Sequence, residues 1–327
     1  MYIPSRLRML KRRIFRRSDG ERILRARYRS LYHQELDCLN PLTFSAKLFQ
    51  RMIWINRNGH PVFTRLTDKY RVRDYVTAKL GPQYLVKLLW HGVDPHKIPF
   101  GTLSEQYVIK TNHWSGDKVV VRGGVDHREI IEHFAKMLRQ SYRWVCREYY
   151  YHAIPPQVLI EELLDDGEPK GPLDYRFWCF DGVPELIQVT NSDLSVNQFY
   201  DPQWNALDLR TRAVENCWIA RPDNLQQILA AASAVAAHFD FVRVDLYNIR
   251  GHIRFGEMTF TPTAGHLQLQ PAKWDLILGQ SGRSRRRSDG APNSTSEIRI
   301  NAALIFARTD FVNVLQLITF QWTLLSP

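Results

Sequence analysis

Apolar and polar residues alternate most cleanly between Phe241 and Thr259. Val242, Val244 and Leu246 interleave with Arg243, Asp245 and Tyr247, which is the period of a strand with one buried face. Beyond Asn248-Ile249-Arg250-Gly251, Ile253, Phe255, Glu257 and Thr259 alternate with His252, Arg254, Gly256 and Met258, so a hairpin is expected. A three-residue loop, Ile249-Arg250-Gly251, with glycine in the left-handed position, pairs Asn248 with His252 and sets Arg243 opposite Glu257. Asp245 then lies one diagonal step away on the same face. A loop of two or four residues would put the carboxylates on opposite faces, so the register decides whether they form a site.

Elsewhere the pattern predicts a strand at Gln106–Lys110, a polar loop at Thr111–Asp117 and a second strand at Lys118–Val121. Thr67–Val76 runs at helical spacing and ends near Gly81-Pro82. Val158–Leu163 is an apolar strand closing on Glu161 and Glu162. Asp174–Phe180 and Val183–Val189 read as a hairpin turned by Asp181-Gly182, with Pro184 limiting pairing near the start of its second strand. The alanine-rich stretch Leu225–His238 reads as a core helix.

Two hard oxygen ligands with an arginine between them suit Mg²⁺ bridging a polyphosphate, because the cation needs few protein ligands and the guanidinium takes the remaining negative charge. A surface ion pair across a hairpin accounts for the same segment equally well. Lys110, at a strand end before a loop containing Ser115-Gly116, can set an ammonium and backbone N–H groups around phosphate oxygens. No Walker A pattern and no GxGxxG after a strand are present, which removes support for P-loop and dinucleotide-binding folds.

Composition fits an enzyme with a sizeable core: 327 residues, 44% apolar, net charge +11. Cys38, Cys146, Cys179 and Cys217 have no paired spacing for zinc or redox work and are expected to be buried thiols. Few cysteines and no signal-peptide pattern favour the cytoplasm. The charge is uneven, since residues 1–35 hold eleven Lys or Arg against three acids. With Leu7, Leu10, Ile14 and Phe15 interleaved, this stretch suits either an amphipathic helix on anionic lipid or a helix packed on the body. Nucleic acid is disfavoured, because the aromatics of the body do not interleave with a basic stripe and no recognised binding motif occurs. Residues 281–297 read as a disordered linker. Phe311–Pro327 lacks charge but is short for a membrane span.

The chain resembles the TupA-like branch of the ATP-grasp enzymes from about Leu42 to Gly279. The resemblance rests on an ordered series: Pro41-Leu42-Thr43-Phe44 with Lys47-Leu48, Asp68-Lys69-Tyr70 with Val72-Arg73, Val108-Ile109-Lys110 with Asn112-His113 and Ser115-Gly116, Glu161-Glu162, Asp174-Tyr175-Arg176-Phe177, Phe241 to Tyr247, Phe255 to Phe260, and Trp274-Asp275. It implies that Lys69 is the nucleotide-binding lysine at the start of the helix preceding the nucleotide-clamping subdomain, that Lys110 is the strand lysine contacting phosphate, that Asn112 to Gly116 form a mobile loop over the phosphates, and that Glu161 and Glu162 hold adenine and ribose. Arg176 and Arg243 match basic positions facing phosphate or acyl substrate, and His113 is a further catalytic candidate. Asp245 and Glu257 match the Mg²⁺ carboxylates. Thr259 stands where the wider superfamily has an asparagine ligand, which weakens the case for a second metal.

The expected fold is α/β (α+β), an ATP-grasp arrangement of two α+β subdomains clamping ATP, with an N-terminal helical region. The expected division is a basic helical segment at 1–40, the ATP-grasp domain at 41–280, the linker, and an apolar tail at 298–327. The resemblance implies ATP and Mg²⁺ as cofactors and an acidic small-molecule or saccharide substrate. The implied reaction is carboxylate–amine ligation in surface-polysaccharide synthesis, in the cytoplasm with peripheral contact at the inner membrane face. A phosphotransferase of the same pathways and a silent nucleotide-binding scaffold are the alternatives.

Overall fold

Two antiparallel sheets organise the computed structural model, which describes residues 20–140, 147–168, 170–211 and 218–281. Residues 1–19 of the basic segment, residues 282–297 of the linker, the whole tail, Cys146 and Cys217 lie outside the described residues. A helix, α1, over residues 20–32 leads to α2 (Phe44–Asn58), α3 (Pro61–Thr67) and α4 (Val72–Leu80). The smaller sheet has the order β1 (Leu88–Gly92), β4 (Val158–Glu162), β2 (Gln106–Thr111), β3 (Lys118–Arg122). One face, with Tyr107, Ile109, Val121 and Ile160, packs on Ile130 and Phe134 of α5 (His127–Met137). Because side chains alternate along a strand, Lys110 and Glu161 belong to the opposite face.

The larger sheet has the order β7 (Asn197–Tyr200), β6 (Val183–Thr190), β5 (Asp174–Phe180), β8 (Phe241–Ile249), β9 (His252–Thr259). Its apolar face carries Phe177, Ile187, Val244 and Met258 against Ile228 and Ala232 of α6 (Leu225–Ala236), and against Phe63 and Val76 of α3 and α4. The other face is divided. Trp178, Phe180 and Phe199 pack on Phe44 and Leu48 of α2 and on Leu278 of α7 (Lys273–Gln280), while the remainder is polar. The Thr43 hydroxyl caps α2 by accepting from Ala46 N, and Asp275 of α7 accepts from Ser45 N at 2.8 Å, tying the ends of the family-like region together.

Helix α1 is part of the body: Leu24 and Tyr28 are buried with Phe49 and Met52, and Arg27 donates to Ala264 O at 3.0 Å. The helix expected over Thr67–Val76 is broken. Asp68 Oδ1 accepts from Tyr70 N at 2.9 Å and Arg71 N at 3.3 Å, a local alternative to helical bonding that ends α3 and starts α4 afresh. Lys69 therefore occupies a turn. The Asp181-Gly182 hairpin forms as expected, Phe180 pairing with Val183.

The β8–β9 hairpin differs from expectation in register. Ile249 pairs with His252 across a two-residue turn, with Arg250 and Gly251 both at positive φ, rather than across three residues. This turn type matches the twist of the flanking strands, which favours it over the longer loop. Gly256 is then an extra residue in β9: Leu246 pairs with Phe255, but Asp245 pairs with Glu257 and Arg243 with Thr259. The bulge reverses the side-chain alternation, so Met258 joins Ile253 and Phe255 in the core while Glu257 and Thr259 face the other way.

Candidate active site

A second irregularity lies between β5 and β6. Trp178 pairs with Leu186 and Cys179 with Pro184, leaving Glu185 as the extra residue and setting Arg176 opposite Gln188. Together the two bulges align one transverse row across four strands: Gln188, Arg176, Asp245 and Glu257. Flanking rows carry Thr190, Asp174 and Tyr247 on one side and Trp178, Arg243 and Thr259 on the other.

Arg243, buried, grips this row. Its Nε and Nη2 donate to the two Asp245 oxygens at 2.7 and 2.6 Å, and Nη2 also reaches Glu257 Oε1 at 3.2 Å and Thr259 Oγ1 at 3.1 Å. Arg176 Nε donates to Asp174 Oδ2 at 2.8 Å and lies 3.8 Å from Asp245 Oδ2. Burial, opposed by Arg243 and reinforced by Asp174, raises the Asp245 carboxyl above the usual range. Burial acts the same way on Glu257, but Lys69, Arg243 and Arg176 outweigh it and hold that carboxyl low. Glu257 is thus a firmly anionic oxygen donor, beside an Asp245 carboxyl that burial makes easier to protonate despite its arginine.

The smaller sheet contributes cations. Lys110 Nζ lies 2.5 Å from Glu161 Oε2, and Arg73 Nη1 lies 3.3 Å from Oε1 of the same carboxylate. Glu162 belongs to the other face and accepts from Lys87 N at 3.2 Å, so the paired acids serve two separate contacts. Lys69 Nζ donates to Trp114 O at 2.6 Å, and its charge couples to Glu257 of one sheet and to Lys110 and Glu161 of the other. Burial lowers its pKa, Glu257 opposes the shift and Lys110 adds to it.

The Asn112–Gly116 loop is pinned at its base. Asn112, fully buried, donates to Asp68 Oδ1 at 3.0 Å and Pro155 O at 2.9 Å and accepts from Gln157 N at 2.7 Å, so its side chain holds the loop. His113 is buried with Nε2 3.3 Å from Gln140 O. Ser115 and Gly116 are exposed at the tip, Gly116 at φ 81°.

The structure brings Arg176, Arg243, Asp245, Glu257 and Thr259 together on one sheet and Lys110 and Glu161 on the other, with Lys69 linked electrostatically to both. Glu162 and the Asn112 side chain stand apart. Sequence reasoning missed Asp174 and Gln188. Asp174 was findable as an acid two residues from Arg176 on the same strand face; Gln188 was hidden by the Glu185 bulge.

The donor set fits Mg²⁺. Asp245, Glu257 and Thr259 offer hard oxygens on one face, and the buried Asp174 Oδ1 beside them has no hydrogen-bond partner. Among the described residues no group of three or more His, Cys, Asp or Glu is gathered as a cation cage. Such a sparse set is what Mg²⁺ uses when phosphate oxygens complete its shell.

A family model described as TupA-like ATPgrasp matches residues 46–282. No curated protein matches the sequence. Among solved structures, D-alanine–D-alanine ligase from Bacillus anthracis complexed with ATP aligns at 14% identity and TM-score 0.42, covering 73% of this chain and 74% of that one. The Helicobacter pylori D-alanine–D-alanine ligase aligns at 15% identity and TM-score 0.37, covering 67% and 61%. The ATP-grasp ligase PsnB, complexed with a phosphomimetic variant of its minimal precursor, Mg and ADP, aligns at 13% identity and TM-score 0.36, covering 72% and 66%. On the family match, this chain belongs to the TupA-like ATP-grasp family.

Proposed function

We propose that this protein is an ATP-dependent carboxylate–amine ligase working through an acyl phosphate in surface-polysaccharide synthesis of the teichuronopeptide, capsule or exopolysaccharide kind. The observation that carries the reading is the pairing of Asp245 with Glu257 beside Arg243 and Arg176, with Lys69 coupled both to Glu257 and to the Lys110–Glu161 pair of the smaller sheet. Family membership supports the ligase chemistry, and the resemblance supports the pathway. Mg²⁺-ATP, when bound, supplies the phosphoryl group and a Lewis acid.

Asp245, Glu257 and Thr259 would hold the metal. Lys110 and Lys69 place ammonium charge where phosphate oxygens gather, and Arg243 neutralises charge between the carboxylates and the reacting group. Arg176 orients the substrate carboxylate. The loop bearing Ser115 and Gly116 excludes water at the tip while Asn112 anchors its base. Residues 1–19, carrying most of the N-terminal basic charge, supply an additional contact to anionic membrane; among the described residues no helix is long and apolar enough to cross one.

ADP release with a panel of uronic acids and amines, the product read by mass, tests this reading. Amide product from wild type, with loss of turnover in Asp245→Asn and Glu257→Gln at unchanged fold, is expected. Equal ADP release by all three proteins defeats the metal assignment, and a phosphorylated product without amide makes the protein a phosphotransferase.

A further inference from the structure

Three oxygens from two segments of the chain meet in a buried triangle. The Tyr150 and Thr261 hydroxyls lie 2.7 and 2.6 Å from Glu148 Oε1, and 2.8 Å from each other. Thr261 is fully enclosed and Glu148 is only 6% exposed. Glu148 and Tyr150 stand in the approach to β4, whereas Thr261 lies two residues beyond β9 and continues the alternation of Glu257 and Thr259. The triangle therefore joins the entry of the strand that carries Glu161 to the exit of the strand that carries Glu257.

Each edge of the triangle is at O–H···O distance and needs one hydrogen, yet the two hydroxyls bring only two. An ionised Glu148 would leave one pair of oxygens in contact with no hydrogen between them. A protonated Glu148 supplies the third, closing a ring in which every oxygen donates once and accepts once. Burial acts in the same direction: opposed by the Thr261 and Tyr150 hydrogen bonds and by Arg243, and reinforced by Glu257, it raises the Glu148 carboxyl from 4.5 to about 7.

Neutrality at this position matters for Arg243, whose Nη2 already serves Asp245, Glu257 and Thr259. A third carboxylate would compete for that guanidinium and add negative charge beside the carboxylate pair. Other charges on the elements packed against this segment have partners of their own. Arg51 of α2 holds Asp240 at 2.7 Å, Arg65 of α3 faces Asp74 at 3.7 Å, and Glu21 of α1 pairs with Arg25 and Arg57. His60, at the start of α3, stays neutral above about pH 4, and the segment itself carries Arg147 and His152. We infer that Glu148 is a positioning residue of the active site, kept as a neutral acid by Tyr150 and Thr261 so that Arg243 remains on Asp245 and Glu257. This deepens the proposed function and rests on it for the phosphate that the site receives.

Glu148→Gln in the full chain tests the assignment, because a carboxamide keeps the shape, cannot ionise, and has two N–H donors for the two hydroxyl oxygens. A carboxyl whose pKa is raised on folding stabilises the protein fully below pH 4.5, and that contribution is lost as the pH rises through about 7. In denaturant titrations the folding constant of wild type should therefore fall relative to Glu148→Gln by up to about tenfold per pH unit across that interval. Mg²⁺-ATP carries net negative charge, so calorimetry should find equal affinities at about pH 6 and a wild type roughly fivefold weaker or more at about pH 8.5. Should the variant melt early, carbon-13 labelling of the glutamate carboxyls in wild type reads the same proton, as one glutamate titrating near neutrality. Parallel stability profiles, no such glutamate, or affinities that do not diverge at the higher pH overturn the proposal. The expected profiles without ADP release for any acid and amine leave the positioning role standing and defeat the ligase reading instead.

Discussion

Asp245 and Glu257 face each other across β8 and β9 because Gly256 is an extra residue in β9. A Cβ at Gly256 would lie 3.0 Å from Asp245 O and 3.2 Å from the Tyr247 ring, tighter than most such contacts, so the Asp245 backbone or the ring would have to give by a few tenths of an ångström. The bulge that makes the site and the glycine that permits it are one feature.

Gly256→Ala should therefore damage the site beyond its effect on stability. Overpacking of this kind costs about 1–3 kcal/mol. The Mg²⁺ concentration needed for half-maximal ADP release should rise while the melting temperature falls only a few degrees. An unchanged Mg²⁺ requirement would show that the bulge does not set the carboxylate pair.

Lys110→Ala should weaken ATP binding by roughly 10- to 100-fold, the loss of a charge-assisted contact of about 1.5–3 kcal/mol. It also removes the nearer of the two cations on Glu161. His113→Ala should change ATP affinity less, since its ring is buried with Nε2 3.3 Å from Gln140 O and the backbone N–H groups of the loop survive the change. Nucleotide titration of both variants checks the order; equal losses would place His113 in the site.

His60 should impose an acid limit on stability. Its Nδ1 accepts from Phe63 N at 3.1 Å to cap α3, which requires a neutral ring. Burial, reinforced by Arg51, lowers its pKa from 6.5 to about 4. The unfolded chain therefore takes up the proton first, and the contribution present above pH 6.5 is lost as the pH falls towards 4, on the order of 3 kcal/mol in all. His60→Asn, which caps without titrating, should flatten that part of the stability profile. Parallel profiles for the two proteins in denaturant titrations across pH would remove His60 as the cause.

Truncation should separate the charge of the N-terminus from its packing. Removing residues 1–35 takes away Leu24 and Tyr28, both buried against α2, and should destabilise the protein by several kcal/mol. Removing residues 1–19 should leave the melting temperature near wild type and reduce sedimentation with anionic vesicles at low salt. Full vesicle binding by the shorter truncation would exclude those residues as the membrane contact.

Much of this protein is determined locally. The Asp181-Gly182 turn, the strand bearing Lys110 and the alternation that puts Arg243 and Asp245 on one face follow from short-range sterics and side-chain period, and the ordered motifs identify the family. The Gly256 bulge was signalled by a glycine inside a strand, but its consequence was not, because one inserted residue reverses every later side chain and only packing selects the phase. Met258 entering the core with Ile253 and Phe255 makes that selection. The break at Lys69 likewise follows from Asp68, whose carboxylate is held by Asn112 from 44 residues away. Alignment of Gln188 with Arg176 and Asp245 belongs to tertiary structure alone: it needs two bulges on non-adjacent strand pairs, and no local preference couples one to the other.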